Sequence, residues 1–243
     1  MSTSGTYSFT VTRDDIIYAA LRAIGAIDVN NTAESAEVTN AAQELNMILK
    51  QWVQEGLPVW TMTTVPVTLS VGVNSYTIGP GGAVNLPYRP PRIISAFLRN
   101  TSITPNTDTS VDIIAKVDYE RLGSKGSSSI VNQIYYDPQI PLGVIYTYGA
   151  PPDTNYTLYV TVQRLLQDMT ASTDNFDVPQ DFFQALKWSL AEELSYSYDV
   201  PLDKVQLIAM KAKKARDEAF AFDQEDTSVF FTVDQRTFNY GRS

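Results

Sequence analysis

The sequence predicts an α+β fold: a four-helix domain made of two αα-hairpins, an antiparallel β sandwich or barrel-like domain inserted between them, and an extended C-terminal arm. Apolar residues recur at helical spacing over 12–56 and again over 178–225, while between them the period drops to two, with Pro, Gly, Asn and Thr punctuating short β-branched and aromatic runs. The closing residues follow neither period. With 243 residues, 44% of them hydrophobic, the chain can bury about 70–75% of its unfolded surface in one or two bodies. The predicted divisions are an N-terminal hairpin (1–56), the β insertion (57–177), a C-terminal hairpin packing on the first (178–225) and the arm (226–243).

Thr12 stands before Arg13, Asp14 and Asp15, where a hydroxyl and early carboxylates can satisfy the free amides of a first helical turn. Ile16, Ile17, Ala20, Leu21 and Ile24 then fall at spacings of three and four, and Gly25 supplies a left-handed stop. For the second helix Thr32 is the expected cap. Its stripe is Val38, Ala41, Leu45, Ile48, Leu49 and Trp52, and Gly56 with Pro58 ends it.

In the middle third, Val65–Val71 and Tyr76–Ile78 read as a hairpin around Gly72–Ser75. Further strands are expected at Arg92–Arg99, Ile113–Val117, Val131–Tyr136, Gly143–Tyr148 and Thr157–Arg164. The last alternates most regularly, Leu158, Val160 and Val162 against Thr157, Tyr159 and Thr161. Long loops are expected at Gly79–Pro91, Thr101–Ser110 and Gly123–Ser129. Helical period returns at Val178: Pro179 suits a first turn, and Phe182, Phe183, Leu186, Leu190 and Leu194 share a face. After the turn at Asp199–Pro201, a fourth helix runs from Leu202 to about Glu225 with Val205, Ile208, Ala209, Ala212, Ala215, Ala219 and Phe222 inward and Lys211, Lys213, Lys214 and Arg216 mostly outward. The helical core is therefore expected to be built on Ile17, Leu21, Leu45, Ile48, Leu49, Trp52, Phe183, Leu186 and Leu190. In the arm, Val229, Phe230, Phe231, Val233, Phe238 and Tyr240 are too apolar for a solvated tail, which leaves docking on a partner or a last strand of the same sheet.

Composition excludes much chemistry. The chain has no Cys and no His, so disulfides, thiolate or imidazole metal sites and imidazole bases are ruled out. A net charge of −9 opposes general capture of phosphate backbones or anionic lipid. The first ten residues lack a signal-peptide pattern and no apolar run reaches membrane-spanning length, so a soluble, membrane-free protein is expected.

The remaining catalytic template is a carboxylate pair. Glu44 and Glu55 would lie about 16 Å apart along one helix, too far to cooperate. Asp118 and Glu120 would share a strand face about 7 Å apart, a spacing found at any solvated strand end. Asp28, Asn30 and Thr32 imitate a calcium loop, but Ala33 and Thr39 occupy the positions needing glycine and glutamate. The Gly79–Gly82 run has no following Lys-Ser/Thr to cradle phosphate. No catalytic, cofactor or metal site is expected. The lysines of the fourth helix are either a solvated face or a contact for an acidic partner or DNA.

Taken in order, TRDDIIYAALRAIGAI, AAQELNMILKQWVQEGLPVW and VPQDFFQALKWSLAEELSYSY resemble the head-to-tail adaptors, also called tail accessory factors or packaged-DNA stabilisation proteins, of short-tailed bacteriophages. The matching features are the helix stop Leu21, Arg22, Ala23, Ile24, Gly25 and the pattern Trp52, Gly56, Leu57, followed by an Ala-Glu-Glu helix and a Lys/Ala-rich one. The likeness covers the helical segments. It implies a non-enzymatic virion protein at the head-tail junction, a ring of about twelve copies beneath the portal through which DNA passes without specific binding. It also implies that the ring retains the genome and receives a tail nozzle or tail fibre protein, with the C-terminal arm on the portal. The β insertion is absent from the shortest members. Rival readings are a peptidoglycan-cleaving hydrolase using a carboxylate pair and a receptor-binding β module.

Overall fold

The structure, a computed structural model, describes residues 5–7, 9–55 and 59–222. The described residues form a mixed fold of five helices and an eight-stranded, nearly closed barrel-like sheet. Helix α1 spans Arg13–Ile24. Its entry is a full capping box: the Asp15 amide donates to the Thr12 hydroxyl oxygen, and the Asp15 carboxylate accepts from the Thr12 amide at 3.0 Å. Gly25 closes it at φ 84°, its amide donating to the Leu21 and Arg22 carbonyls. Helix α2 spans Ser35–Glu55. Its cap is not Thr32. Val38 makes the first turn bond to the Glu34 carbonyl, and the Glu34 amide donates to the Glu37 carboxylate at 2.9 Å, so an acidic reach-back replaces the expected hydroxyl. The expected stop at Gly56 and Pro58 lies outside the described residues.

Strands β1 (Met62–Thr68), β2 (Ser75–Gly79), β3 (Val84–Asn85), β4 (Ile93–Asn100) and β5 (Thr107–Ile113) come next. Helix α3 (Lys116–Arg121), then β6 (Gln133–Asp137), β7 (Gly143–Tyr148) and β8 (Tyr156–Gln163), complete the middle third. The sheet order is β1-β8-β4-β5-β6-β7-β2-β3. Two short pairings, β5 with β6 and β2 with β3, are parallel, so the sheet is mixed rather than purely antiparallel.

Three sequence readings change here. Val65–Val71 and Tyr76–Ile78 do not form a hairpin: β1 pairs with β8 and β2 with β7. Leu69 of the connection and Tyr76 of β2 are buried, and the Tyr76 hydroxyl bonds the backbone of Ser70 and Val73, so the connection is pinned to β2 while β1 pairs elsewhere. The strand expected at Ile113–Val117 is the end of β5 followed by α3; Val117 is exposed and Tyr119 is the one residue of α3 buried. The loop expected at Thr101–Ser110 contains most of β5, which periodicity missed because Val111 is its single buried residue. Elsewhere the alternation holds: Gly143, Ile145 and Thr147 of β7 and Leu158, Val160 and Val162 of β8 point inward.

A short 3-10 turn at Gln180–Phe182 leads into α4 (Phe183–Ser197), and α5 (Leu202–Phe222) follows. Two apolar cores result. One is helical and gathers Ile17, Leu21, Leu45, Ile48, Leu49, Trp52, Leu186 and Leu190, all buried, with Phe183 half-buried at its edge and Leu166 and Met169 added from the segment after β8. The other fills the barrel with Val65, Val67, Ile78, Leu98, Ile134, Ile145, Leu158, Val160 and Val162. On α5, Ile208, Ala212 and Ala219 are buried and Val205, Ala209 and Ala215 half-buried; the expected inward side chain of Phe222 lies outside the described residues, while Phe220 packs on Trp52 and Phe182. Gln163, 1% exposed at the end of β8, ties the cores: its amide donates to the Val53 carbonyl at 3.1 Å and its oxygen accepts from Arg92 at 2.8 Å.

Candidate functional site

Helix α3 removes the geometry on which a carboxylate pair depended. Asp118 and Glu120 sit two positions apart on a helix, about 200° around its axis, and so cannot share a face. Asp118 lies 3.9 Å from Arg121 in an exposed pair. Among the described residues no group of three or more His, Cys, Asp or Glu could hold a metal ion. Asp28 to Asn31 forms a turn, the Asn31 amide donating to the Asp28 carbonyl at 3.1 Å. The Gly79–Gly82 run is a strand-end turn in which Gly81 donates to the Asn85 side chain, and no helix opens from it. Glu192 is one acid with a raised pKa, from burial against the α4–α5 packing; its cationic neighbour Arg216 partly offsets that rise.

The molecule instead offers built surfaces. On the barrel exterior Phe97 of β4 and Tyr159 of β8 stack at 4.9 Å, held parallel because their residues are register partners. The Arg99 guanidinium lies over both rings, 5.4 and 4.8 Å from their centroids, and forks onto Asp108 with two bonds of 2.7 Å. That fork holds the Asp108 carboxyl below the usual carboxylate range. A second aromatic group, Tyr119, Tyr135 and Tyr146, walls a cleft of about 220 Å³ with Lys116, Lys125, Glu120 and Asp137 around its rim. Lys125 leaves the Gly/Ser loop to sit 5.4 Å above the Tyr119 ring and donate to the Leu122 carbonyl at 2.7 Å, which fastens that loop to α3. Between the two cores Lys50, Arg89 and Arg92 line a third cleft of about 430 Å³ with Val53, Pro91 and Leu165.

Lys211, Lys213 and Lys214 of α5 are exposed as expected, while Arg216 is half-buried and Lys204 donates to the Ile24 carbonyl at 2.6 Å. Lys211 and Lys187 both lie over the Trp188 ring, at 4.6 and 4.8 Å. These aromatic and cationic surfaces escaped sequence reading because each joins residues distant in the chain: Phe97 with Tyr159, Tyr119 with Tyr146. The expected arm residues Val229, Phe230, Phe231, Val233, Phe238 and Tyr240 lie outside the described residues. Among the described residues no helix is long and apolar enough to cross a membrane.

No curated protein matches the chain. The family described as SU10 adaptor protein matches residues 11–236, a span that opens at the α1 capping box, runs through the whole barrel and passes the end of α5. A match of that length takes in the helices and the inserted sheet together, and the family's description points to a structural role. The chain belongs to the SU10 adaptor protein family, a family of phage adaptors.

Proposed function

We propose that the chain is a head-to-tail adaptor of a short-tailed phage virion, assembling as a ring of about twelve copies beneath the portal, extending the DNA channel and retaining the packaged genome. The observation that carries this reading is the family match over 11–236, which spans both cores. In this reading the helices of 1–56 and 178–225 form one body against the portal, 57–177 is the inserted β domain facing a tail nozzle or tail fibre protein, and 226–243 is an arm that docks on the portal through Val229, Phe230, Phe231, Val233, Phe238 and Tyr240. A net charge of −9 supports a conduit role, because a wall that repels phosphates lets DNA slide, whereas a uniformly basic wall would hold it at every contact. The half-buried Phe97–Arg99–Tyr159 cluster on the barrel exterior gives the β domain an apolar and cationic face for a neighbour.

The test is deletion of 226–243. Portal attachment should be lost while far-UV circular dichroism retains the helical signal. Retained attachment would overturn the arm assignment, and virion images showing the protein away from the head-tail vertex would overturn the reading as a whole.

A further inference from the structure

A closed ring of identical copies needs a heterologous contact, in which two different patches of one subunit complement each other. We infer that the outward face of α5 in one copy docks on the outward face of α2 in the next; this rests on the ring reading above. On α5, Leu207, Met210, Lys211 and Lys214 fall at i, i+3, i+4 and i+7, so they form one face. Leu207 is 50% and Met210 65% exposed, an apolar pair with lysines beside it. On α2, Met47 is 56% exposed and floors a shallow groove of about 320 Å³ with Asn46, Lys50, Gln51 and Gln54. Glu44 lies one turn before Met47 on the same side.

The two faces point away from the core that the helices share. Trp52 of α2 and Phe220 of α5 meet inside it at 5.7 Å, Met47 lies about 140° around α2 from Trp52, and Met210 about 160° around α5 from both Ile208 and Ala212. One copy can therefore present its α5 face on one flank and receive a neighbour on another without using a patch twice. Charge supports the match. The α5 ridge carries the exposed Lys211 and Lys214, whereas Glu44 and Asp168 stand beside the α2 groove, Asp168 at 2.5 Å from Lys50. The occupant is a second copy of this chain: head-to-tail repetition requires a basic apolar ridge on one flank and, on another, an apolar groove whose one lining charge, Lys50, is already paired with Asp168 and which Glu44 flanks.

The absence of cysteine makes the test clean. Met47→Cys and Met210→Cys are made singly and together in the full chain and treated with a short bismaleimide at high protein concentration, alone and with portal. Mixed single variants should give covalent dimers, neither single variant alone should do so, and the double variant should give a ladder of multimers. Leu207→Glu with Met210→Glu should abolish assembly without lowering the melting temperature, since both sites are exposed. Cross-linking by one single variant alone, or a ring that forms without any ladder, would overturn this interface and leave the ring reading intact. A chain that stays monomeric under all these conditions would overturn both.

Discussion

The helical core and the barrel core use aromatic residues in opposite ways. In the helical core the rings are inside: Trp52, Phe182 and Phe220 meet edge to face or tilted at 5.5–5.9 Å, and Trp60 joins Phe182 at 5.9 Å. The barrel interior is aliphatic apart from Tyr76, and its ring clusters lie on the outer side, as Phe97 on Tyr159 and as the Tyr119, Tyr135 and Tyr146 group. The difference is geometric. Helices meeting at angles leave broad gaps that large rings fill, whereas the narrow bore of a small barrel is filled by Val, Ile and Leu. The lesson is that aromatic content in the helices serves the core, while in the barrel most of it packs half-buried on the outer side.

The first way to break that contrast is to empty each core. Trp52→Ala should cost about 3–5 kcal/mol, because the ring is 2% exposed and the Phe182 and Phe220 rings pack against it. Leu158→Ala, at the centre of β8, should cost about 2–5 kcal/mol. Chemical denaturation measures both; an unchanged midpoint for Trp52→Ala would show that the helical core does not depend on its rings.

The second concerns the tie between the cores. Gln163→Ala leaves the Val53 carbonyl without its side-chain donor and removes an acceptor of Arg92, and should cost about 1–3 kcal/mol. Thermal unfolding should then split, the helical signal and the tyrosine near-UV signal melting at separate temperatures. One coincident transition in the variant would mean that other contacts couple the two bodies.

The smallest effect is a pH effect confined to the helical side. Bonding from Thr12 holds Asp15 below the usual carboxylate range, and the Ala171 and Thr170 amides do the same for Asp174. Depressed carboxylates stabilise fully above the ordinary value of about 4 and lose that contribution as pH falls through their own lower values. Asp15→Asn and Asp174→Asn should therefore lower stability at neutral pH and flatten its decline between about pH 4 and 2, read as melting temperature against pH. A decline as steep as in the unmutated chain would show that these two groups do not drive the acid limb.

The same contrast governs what could be read in advance. The first helix was legible to its caps, since Thr12, Asp15 and Gly25 act within the helix they bound. So was the stripe ending in Trp52, and so were the span of β7 and the alternation of β8. The cap of α2 was misread because Thr32 has the right side chain in the wrong place and Glu34 with Glu37 does the work through the backbone. The aromatic and cationic clusters on the barrel exterior were not legible at all: Arg99 gives no sign in sequence that it spans Phe97, Tyr159 and Asp108.

Local chemistry thus determined by itself the period of every long helix and the alternation of the central strands, because both arise from spacings of a few residues, and it excluded imidazole and thiolate chemistry by composition. Tertiary structure alone decided the partners. β1 pairs with β8 across about a hundred intervening residues, and Val117, which reads as strand, lies in a helix because Tyr119 must reach the Tyr135 and Tyr146 rings. Pairing and burial of that kind are settled by which distant surfaces can exclude water together, a quantity no local window contains.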